Sequence, residues 1–149
     1  MKLCMLVKPK LINDGDESWK PTREVIQEGF LIHVISASDI KSAIKRVRDR
    51  ATARKETTQP FAVIVGEDLH NITDCYISVD NILYNVDSPV KAIDVTFKIF
   101  QAIHAQYPKH AEPLWLLLQI CVYGIKTKWD NSKHMHSLTS LIKDLKCVD

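Results

Sequence analysis

Residues 112–125 form an apolar segment that limits the possible fold of this chain more than any other feature of its sequence. From 114 to 122 the only polar side chain is Gln119, so a helix here would have no face to expose to water and would lie inside a core. Pro113 suits a first helical position, and Gly124 suits the left-handed residue that follows a helix. At roughly 12 residues the segment is too short to span a bilayer, which takes about 20. We therefore predict the central helix of a soluble domain.

The composition is that of an ordinary globular domain. Of 149 residues, 46% are hydrophobic and 26% are charged, which is enough to form a core unaided. A net charge of +2 is too small to indicate a polyanionic partner. Residues 13–17 are predicted to form a polar turn or a flexible linker, and Thr22 can cap a short helix that Gly29 ends. We predict an N-terminal arm or linker at residues 1–17 and a single α+β globular domain at residues 18–149.

The cysteines and the N-terminus indicate an intracellular protein. The four cysteines are far apart and form no Cys-x-x-Cys pair, which is typical of reduced thiols in the cytoplasm or nucleus. They are Cys4, Cys75, Cys121 and Cys147. Lys8 and Pro9 interrupt the first apolar run after five residues, which is too short for the core of a secretory signal. We expect a cytoplasmic or nuclear location, without export or a membrane anchor.

A strand, a helix and a second strand are predicted between residues 30 and 65. Segments 30–35 (FLIHVI) and 61–65 (FAVIV) are rich in β-branched and aromatic residues. Between them, Ser36 or Ser38 can cap a helix that extends over residues 39 to about 55. Its apolar residues at helical spacing are Ile40, Ala43, Ile44, Val47 and Ala51. This order indicates a right-handed βαβ unit, or two strands separated by an antiparallel neighbour.

A β-hairpin is predicted around Asp80 and Asn81, because both residues tolerate the positive φ that a two-residue turn requires. Folding about this turn places one set of pairs on an apolar side. These pairs are Val79 with Ile82, Ile77 with Tyr84 and Cys75 with Val86. The opposite side carries Asp74, Tyr76, Ser78, Leu83, Asn85 and Asp87. We therefore expect a hairpin with one dry side and one mostly polar side.

The C-terminal half is predicted to be helical. Ser88 and Pro89 begin a helix, and Pro108 ends it. Its apolar residues at helical spacing are Val90, Ile93, Phe97, Phe100 and Tyr107. The central helix follows after a short turn, so the two helices should form an antiparallel hairpin. A last amphipathic helix is marked by Leu138, Leu141, Ile142 and Leu145, after a loop that holds Trp129. The predicted fold class is α+β, with a small β-sheet from the N-terminal half packed against a C-terminal helical hairpin plus a last amphipathic helix.

Several short motifs between residue 59 and about residue 125 carry a resemblance to a known group of domains. They are QPFAVIVG at 59–66, AIDV at 92–95 with Phe97, Lys98 and Phe100, Tyr107-Pro108, and Trp115, Leu117, Leu118, Gln119, Val122 and Tyr123. The segment resembles a domain found toward the C-terminus of many uncharacterised animal proteins, some labelled sterile-alpha-motif-containing and some associated with mobile elements. It covers a little under half of the chain, mainly at core positions. The resemblance implies an architecture and an interaction role, and no catalytic residues.

The predicted helix from Asp39 has a basic surface that allows two interpretations. Residues 39–56 hold seven Lys and Arg against three acids, a local net charge of +4. Such a stripe could follow the phosphates of a nucleic acid. The candidate residues for that role are Lys41, Lys45, Arg48, Arg50 and Arg54. The alternative is a solvated helix face whose cations also complement the helix dipole.

The acidic segment at residues 64–90 also has two interpretations. It contains five acids and no Lys or Arg, and clustered carboxylates could bind a divalent cation for phosphodiester chemistry. Nucleases usually place a lysine near such a cluster, however, and roles in turns and at the solvent surface are sufficient to explain these acids. The acidic segment and the basic helix suggest instead mutual complementarity, within one molecule or between two copies.

The other chemically capable residues form no recognised site. His134 and His136 lack a third ligand at a suitable spacing. Cys75 and Cys121 are predicted to be buried and therefore unreactive. His33, inside an apolar strand, is predicted to be a core histidine with its polar atoms satisfied. We expect no metal, no cofactor and no small-molecule ligand.

These patterns predict a protein that is not an enzyme. The first hypothesis is a protein–protein interaction or self-association module, from a mobile-element-derived or domesticated protein, with a protein partner or itself as a homo-oligomer. Aromatic and apolar residues at loop edges would supply its interface, and the candidates are Trp19, Leu83 and Trp129. The alternative is a nucleic-acid-binding domain that uses the basic helix at residues 41–55. The second alternative is a metal-dependent phosphodiesterase.

Overall fold

The computed structural model describes residues 7–15, 17–128, 130, 136, 138–139 and 141–143. The chain has an α+β fold, as predicted. It divides into two compact units, one of Gln27–Pro108 and the other of Met1–Ile26 with Lys109–Asp149. The predicted division into an arm at residues 1–17 and a single domain at residues 18–149 stays a prediction. Within the described residues, no helix has both the length and the apolar character needed to cross a membrane.

The unit at residues 27–108 is built on a four-stranded sheet in the order β3-β4-β5-β6. The strands are β3 (Leu31–Val34), β4 (Phe61–Gly66), β5 (Ile72–Val79) and β6 (Ile82–Val86). β3 and β4 are parallel direct neighbours, and the other two pairs are antiparallel. The βαβ prediction is therefore confirmed in its strand order. The alternative, two strands separated by an antiparallel neighbour, is wrong.

The crossover helix α2 (Ile40–Ala53) begins just after the two serines, Ser36 and Ser38, that were predicted to cap it. Ser36 caps a 3-10 turn at Ala37–Asp39, with the Ser38 N–H donating to Ser36 Oγ at 3.3 Å and the Ser36 N–H donating to Asp39 Oδ2 at 3.3 Å. The predicted stripe supplies part of one core, which includes Ile40, Ala43 and Ile44 of α2 with Ile32, Val34, Phe61, Val63 and Val65 of the sheet. Val47 and Tyr76 pack against this cluster. α2 thus covers one face of the sheet.

Helix α3 (Pro89–Ala102) packs against β4, β5 and β6. Ser88 caps it as predicted, accepting a hydrogen bond from the Lys91 N–H at 3.2 Å. The prediction that Val90 belongs to the buried stripe is wrong, because its side chain is 78% exposed. The buried residues are Ala92, Thr96, Phe97 and Phe100. The sheet residues whose side chains point to the face opposite α2 are also buried, namely Ala62, Ile64, Cys75 and Ile77.

The prediction that α3 continues to Pro108 is also wrong. The Ala105 N–H donates to the Phe100 carbonyl at 3.0 Å and the His104 N–H donates to the Gln101 carbonyl at 3.4 Å. With His104 at φ 51, these bonds form a Schellman motif, which satisfies the last carbonyls and ends the helix. α2 ends in the same way at Lys55, with φ 56. Neither position holds glycine, so the sequence lacks the usual signal.

The β5–β6 hairpin has the predicted turn and register. Val79 pairs with Ile82, Ile77 with Tyr84 and Cys75 with Val86. Asp80 has φ 53. The prediction of one dry side and one polar side is wrong. β5 is covered on both faces, since Ser78 is as buried as Ile77, whereas Ile82, Leu83 and Tyr84 of β6 are exposed. β6 lies at the end of the sheet, beside a strand whose two faces are covered by α2 and by the helix at Pro89–Ala102.

The described part of the other unit begins with a small antiparallel hairpin of β1 (Ile12–Asp14) and β2 (Glu17–Trp19). Gly15, at φ 63, lies in its turn. Lys109 Nζ is 2.6 Å from Asp14 Oδ2, and the rings of Trp19 and His110 are 6.1 Å apart. The predicted polar turn at 13–17 is therefore the turn of a hairpin that contacts residues 109–110.

Two helices lie wholly or partly in this unit. In α1 (Arg23–Glu28), the Val25 N–H donates to Thr22 Oγ1 at 3.3 Å, so the predicted cap is confirmed. The helix predicted to be central is α4 (Glu112–Cys121), with Trp115 fully buried. Gln119 Nε2 donates to Asp130 Oδ1 at 3.0 Å and to the Ile125 carbonyl at 3.3 Å. The one polar side chain between residues 114 and 122 is thus hydrogen-bonded while buried.

The C-terminal end of α4 differs from the prediction. The helix ends at Cys121, before Gly124 at φ 65, and both Cys121 and Val122 are exposed. α3 and α4 belong to different units, so the predicted helical hairpin stays a prediction. Residues 136, 138, 139 and 141–143 are helical, and Leu138 is buried. Trp129 and Leu145 lie outside the described residues.

Candidate functional site

The arginines of α2 are engaged mainly within the protein. Arg50 Nη2 lies 2.7 Å from Glu28 Oε2, and Arg46 Nε donates to Glu28 Oε1 at 3.1 Å. The side chains of Glu28 and Arg50 are only 18% and 20% exposed. One carboxylate at the end of α1 therefore holds two arginines of α2.

This arrangement changes the acidity of Glu28. Burial alone would raise the pKa of its carboxyl group, because it removes water from the charged form. Hydrogen bonds from Arg46 and Arg50, with their positive charges, act in the other direction and leave the pKa below its ordinary value. Glu28 is thus a charged structural partner.

The remaining residues predicted to bind nucleic acid are spread over different environments. Lys45 pairs with Asp49 on the surface of α2, and Lys41 is exposed. Arg48 is half-buried, and its Nη2 donates to the carbonyl oxygen of Asp80 at 2.6 Å. Arg54 is half-buried as well. The structure therefore presents two exposed lysines rather than a continuous row of exposed arginines.

Three of the five acids of residues 64–90, Asp68, Asp80 and Asp87, lie in turns or form an ion pair. The Asp68 carboxylate accepts hydrogen bonds from the backbone N–H groups of His70 at 2.7 Å and Asn71 at 2.9 Å, and these bonds lower its pKa. Asp87 pairs with Lys91 at 3.0 Å. Among the residues that the structure describes, no three His, Cys, Asp or Glu side chains are grouped so that they could hold a metal ion. The basic side chains of α2 pair with the carboxylates of Glu28 and Asp49. The hydrogen bond from Arg48 to the acidic segment goes to the backbone carbonyl of Asp80 and not to a carboxylate.

Of the candidate histidines and cysteines, His33 has a hydrogen-bond partner, Cys75 is buried and Cys121 is exposed. His33 Nε2 lies 2.8 Å from the Gly66 carbonyl oxygen, so this histidine has a partner, as predicted. Cys75 is buried, and burial together with the charge of Asp74 raises the pKa of its thiol, which disfavours the reactive thiolate. The prediction that Cys121 is buried is wrong, because α4 ends at this residue and leaves it exposed. His134 lies outside the described residues, whereas position 136 is helical and exposed.

The clearest candidate for a functional surface is the outer edge of β6. Ile82, Leu83 and Tyr84 are 55%, 40% and 50% exposed. Their side chains point alternately to the two faces of the sheet, so β6 exposes apolar side chains on both faces although α3 packs against part of the strand. At the other end of the sheet, by contrast, Leu31 and Ile32 of β3 are buried.

The sequence of β6 contains none of the devices that usually protect an edge strand. Proteins block such strands with lysines, other charges, prolines or β-bulges. The strand reads ILYNV, without a charge or a proline, and its pairing with β5 is regular over all five residues. In the described part of the chain, β6 pairs with no other strand. An open, regular, uncharged edge of this kind is a template for another strand.

The turn determines which backbone groups of β6 are available. Residues that close a two-residue hairpin turn exchange hydrogen bonds, and bonded pairs alternate along an antiparallel ladder. Ile82, Tyr84 and Val86 therefore bond to β5. The N–H and C=O groups of Leu83 and Asn85 point away from the sheet. We call Ile82–Val86, with these outward groups, the β6 edge.

Both ends of the β6 edge carry a positive and a negative group. Arg48 reaches the turn that precedes the strand, at Asp80. Asp87 and Lys91 form an ion pair just after the strand, and the Asp87 side chain remains 83% exposed. The edge is therefore apolar in its middle and balanced in charge at each end.

The three residues predicted to form an interface have different outcomes. Leu83 is exposed and lies on the β6 edge. Trp19 is half-buried and contacts His110 of its own unit, and Trp129 lies outside the described residues. Ile82 and Tyr84 were not predicted as surface residues, because strand alternation placed both on the inward side. No sequence signal distinguished them, because the buried strand β4 also lacks charged residues.

Comparisons with known proteins add no information about this surface. No protein-family model matches the chain, and no significant match is found among curated proteins or solved structures.

Proposed function

We propose that this chain is a non-enzymatic protein–protein interaction module that binds its partner through the β6 edge. The observation that supports this proposal is an edge strand that is exposed on both faces, has no charge and has outward hydrogen-bonding groups at Leu83 and Asn85. Addition of a strand to such an edge is a common mode of peptide recognition, in which backbone bonds give affinity and alternate side chains give specificity. The resemblance of residues 59–125 supports an interaction role in a mobile-element-derived protein, and the cysteine pattern supports an intracellular location.

The alternatives have less support. Nucleic-acid binding by α2 would require its arginines to leave existing partners, since Arg46 and Arg50 bond Glu28 and Arg48 bonds the Asp80 carbonyl. Enzymatic function would require converging polar groups. In the residues that the structure describes, Asp68 bonds within a turn, Asp87 forms an ion pair, and no group of three acidic, His or Cys side chains could hold a metal ion.

The test compares binding by the wild type with binding by two variants. Leu83→Pro removes an outward N–H and leaves the bonds between β5 and β6 in place. Ile35→Lys is the matched control, because Ile35 is an exposed apolar residue outside β6. Both variants are first checked for folding by circular dichroism and thermal unfolding.

Peptides that bind in an extended conformation are selected by display on the wild type, and their affinities for all three proteins are measured by titration. We expect Leu83→Pro to lose binding by at least about tenfold, the effect of about 1.4 kcal/mol, and Ile35→Lys to bind like the wild type. Equal binding by a folded Leu83→Pro variant would overturn the assignment of the surface. The proposal would also fail if neither peptides nor a second copy of the chain bound in a way that depends on this edge.

A further inference from the structure

We infer that the partner at the β6 edge is a second copy of this chain, with the two β6 strands paired antiparallel about a two-fold axis at Tyr84. This inference rests on the proposed interaction function and specifies its partner. Self-pairing of an edge strand gives a closed dimer, because the same surface serves both subunits.

The outward backbone groups fix the register of this pairing. With Tyr84 opposite the partner's Tyr84, Leu83 lies opposite the partner's Asn85, and Asn85 lies opposite the partner's Leu83. These are the two residues whose N–H and C=O groups point outward, so each pair exchanges two hydrogen bonds. Ile82 lies opposite the partner's Val86, and all five residues of the strand are paired. Centring the pair on Leu83 instead would place two strand residues opposite the turn, and centring it on Asn85 would place two strand residues opposite the residues that follow β6.

The charges at the ends of the strand fit the same register. Asp87 of one copy lies opposite Asn81 of the other, beside the turn at which Arg48 bonds the Asp80 carbonyl. Leu83, Asn85 and Asp87 alternate onto the sheet face that α2 covers. A two-fold axis perpendicular to the sheet keeps this face on the same side in both copies. Arg48 and the partner's Asp87 therefore approach within about one or two strand spacings, about 5–10 Å, and this contact occurs twice.

The composition of the edge favours a copy of itself over a charged partner. Like charges directly opposite each other destabilise a strand pair, and β6 has none. Its central residues are the most exposed apolar part of the sheet. Because a pairing of five residues buries less surface than a stable complex requires, we expect a dimer that dissociates on dilution in the micromolar range.

The first experiment is a charge exchange. Arg48→Glu and Asp87→Lys are purified separately, and self-association of each is measured by sedimentation velocity from about 1 µM to about 1 mM, a range that covers micromolar dissociation constants. Each variant alone would place like charges at both ends of the dimer, so we expect self-association about tenfold weaker than that of the wild type. In an equimolar mixture every contact is again between opposite charges, so dimers should form at wild-type concentrations.

The second experiment measures the register. Tyr84→Cys is prepared in a background in which Cys4, Cys121 and Cys147 are replaced by serine. Opposed residues in a pair without mutual hydrogen bonds have Cα atoms about 4.5 Å apart, which a disulfide can bridge. Mild oxidation should give a disulfide-linked dimer, whereas the control Ile35→Cys should form no disulfide-linked dimer.

The outcomes separate this inference from the proposed function. A wild type that is monomeric at about 1 mM, or charge variants that fail to recover in the mixture, would overturn self-pairing. If extended peptides still bound the wild type and not Leu83→Pro, the β6 edge would remain an interaction surface for another protein. If the chain dimerised but Tyr84→Cys did not cross-link, the register would be wrong. Recovery in the mixture together with cross-linking at position 84 would support the inference.

Discussion

Replacing Glu28 with glutamine tests how the βαβ unit is held at the end of α1. Glu28 accepts hydrogen bonds from both Arg46 and Arg50. A glutamine side chain at this position would keep the shape and one acceptor oxygen, but it would lose the negative charge. The change therefore isolates the electrostatic part of this contact from its packing.

The size of the effect follows from the exposure of the two pairs. Arg50 and Glu28 are mostly buried, and a hydrogen bond to a charged group in such surroundings contributes about 1.5–3 kcal/mol. Arg46 is 52% exposed, so its pair contributes about 0.2–1 kcal/mol. The amide oxygen of the glutamine recovers part of this, about 1 kcal/mol. We expect Glu28→Gln to lower the free energy of unfolding by about 2 kcal/mol at pH 7.

The effect should depend on pH with a defined sign. The pKa of Glu28 is lowered in the folded state, so its stabilisation is fully present above the pKa of an unfolded glutamate, about 4.3. It is lost as the pH falls through the lower folded pKa. The difference between wild type and Glu28→Gln should therefore be constant from about pH 5.5 to 7 and shrink below about pH 4.

Urea denaturation at pH 7, 5.5 and 3 measures this difference. Asp49→Asn is the matched control, because it removes an exposed ion pair with Lys45 on the same helix and should cost no more than about 0.5 kcal/mol. The reasoning is refuted if Glu28→Gln costs no more than Asp49→Asn at pH 7. It is also refuted if the cost of Glu28→Gln is unchanged at pH 3.

Two further predictions concern Gly66 and the cysteines. A Cβ at Gly66 would overlap the backbone carbonyl oxygen of Asn71. Gly66→Ala must therefore displace the backbone and should lower the free energy of unfolding by about 3 kcal/mol. A loss below about 1 kcal/mol in urea denaturation would contradict this. Burial and then the charge of Asp74 raise the pKa of the Cys75 thiol, whereas Cys121 is exposed. Iodoacetamide at pH 8 should therefore modify Cys121 at least about tenfold faster than Cys75 in the native protein; equal rates by peptide mass spectrometry would show that Cys75 is accessible.

Local sequence signals predicted most of the element starts. Ser36, Ser88 and Thr22 cap helices where expected, because a cap depends on a side chain and backbone N–H groups two or three residues away. Asp80 forms the hairpin turn, and the register followed from it, since a two-residue turn leaves only one way to pair the strands. The α+β fold class could therefore be predicted.

Helix ends and bonded partners were harder to predict. His104 and Lys55 adopt left-handed conformations that sequences usually assign to glycine. The end of α2 lies within two residues of its predicted position, whereas α3 ends six residues before Pro108. The sequence showed that Arg46 and Arg50 are basic but not that they pair with Glu28, because Glu28 is 18 and 22 residues away from them. A contact over that distance exists only after the chain has folded and placed Glu28 beside α2.

By itself the sequence determined that the segment around Trp115 is a buried helix, that β5 and β6 form a hairpin of fixed register and that Thr22, Ser36 and Ser88 act as caps, because these features depend on residues close together in the chain. Tertiary structure alone decided which strand would be left uncovered. Ile82 and Tyr84 occupy the same alternating positions in the sequence whether or not a helix covers their side chains in the folded protein. They are exposed because α2 and α3 cover β5 on both faces while β6 lies at the end of the sheet, and for this reason the candidate binding surface became visible only in the folded protein.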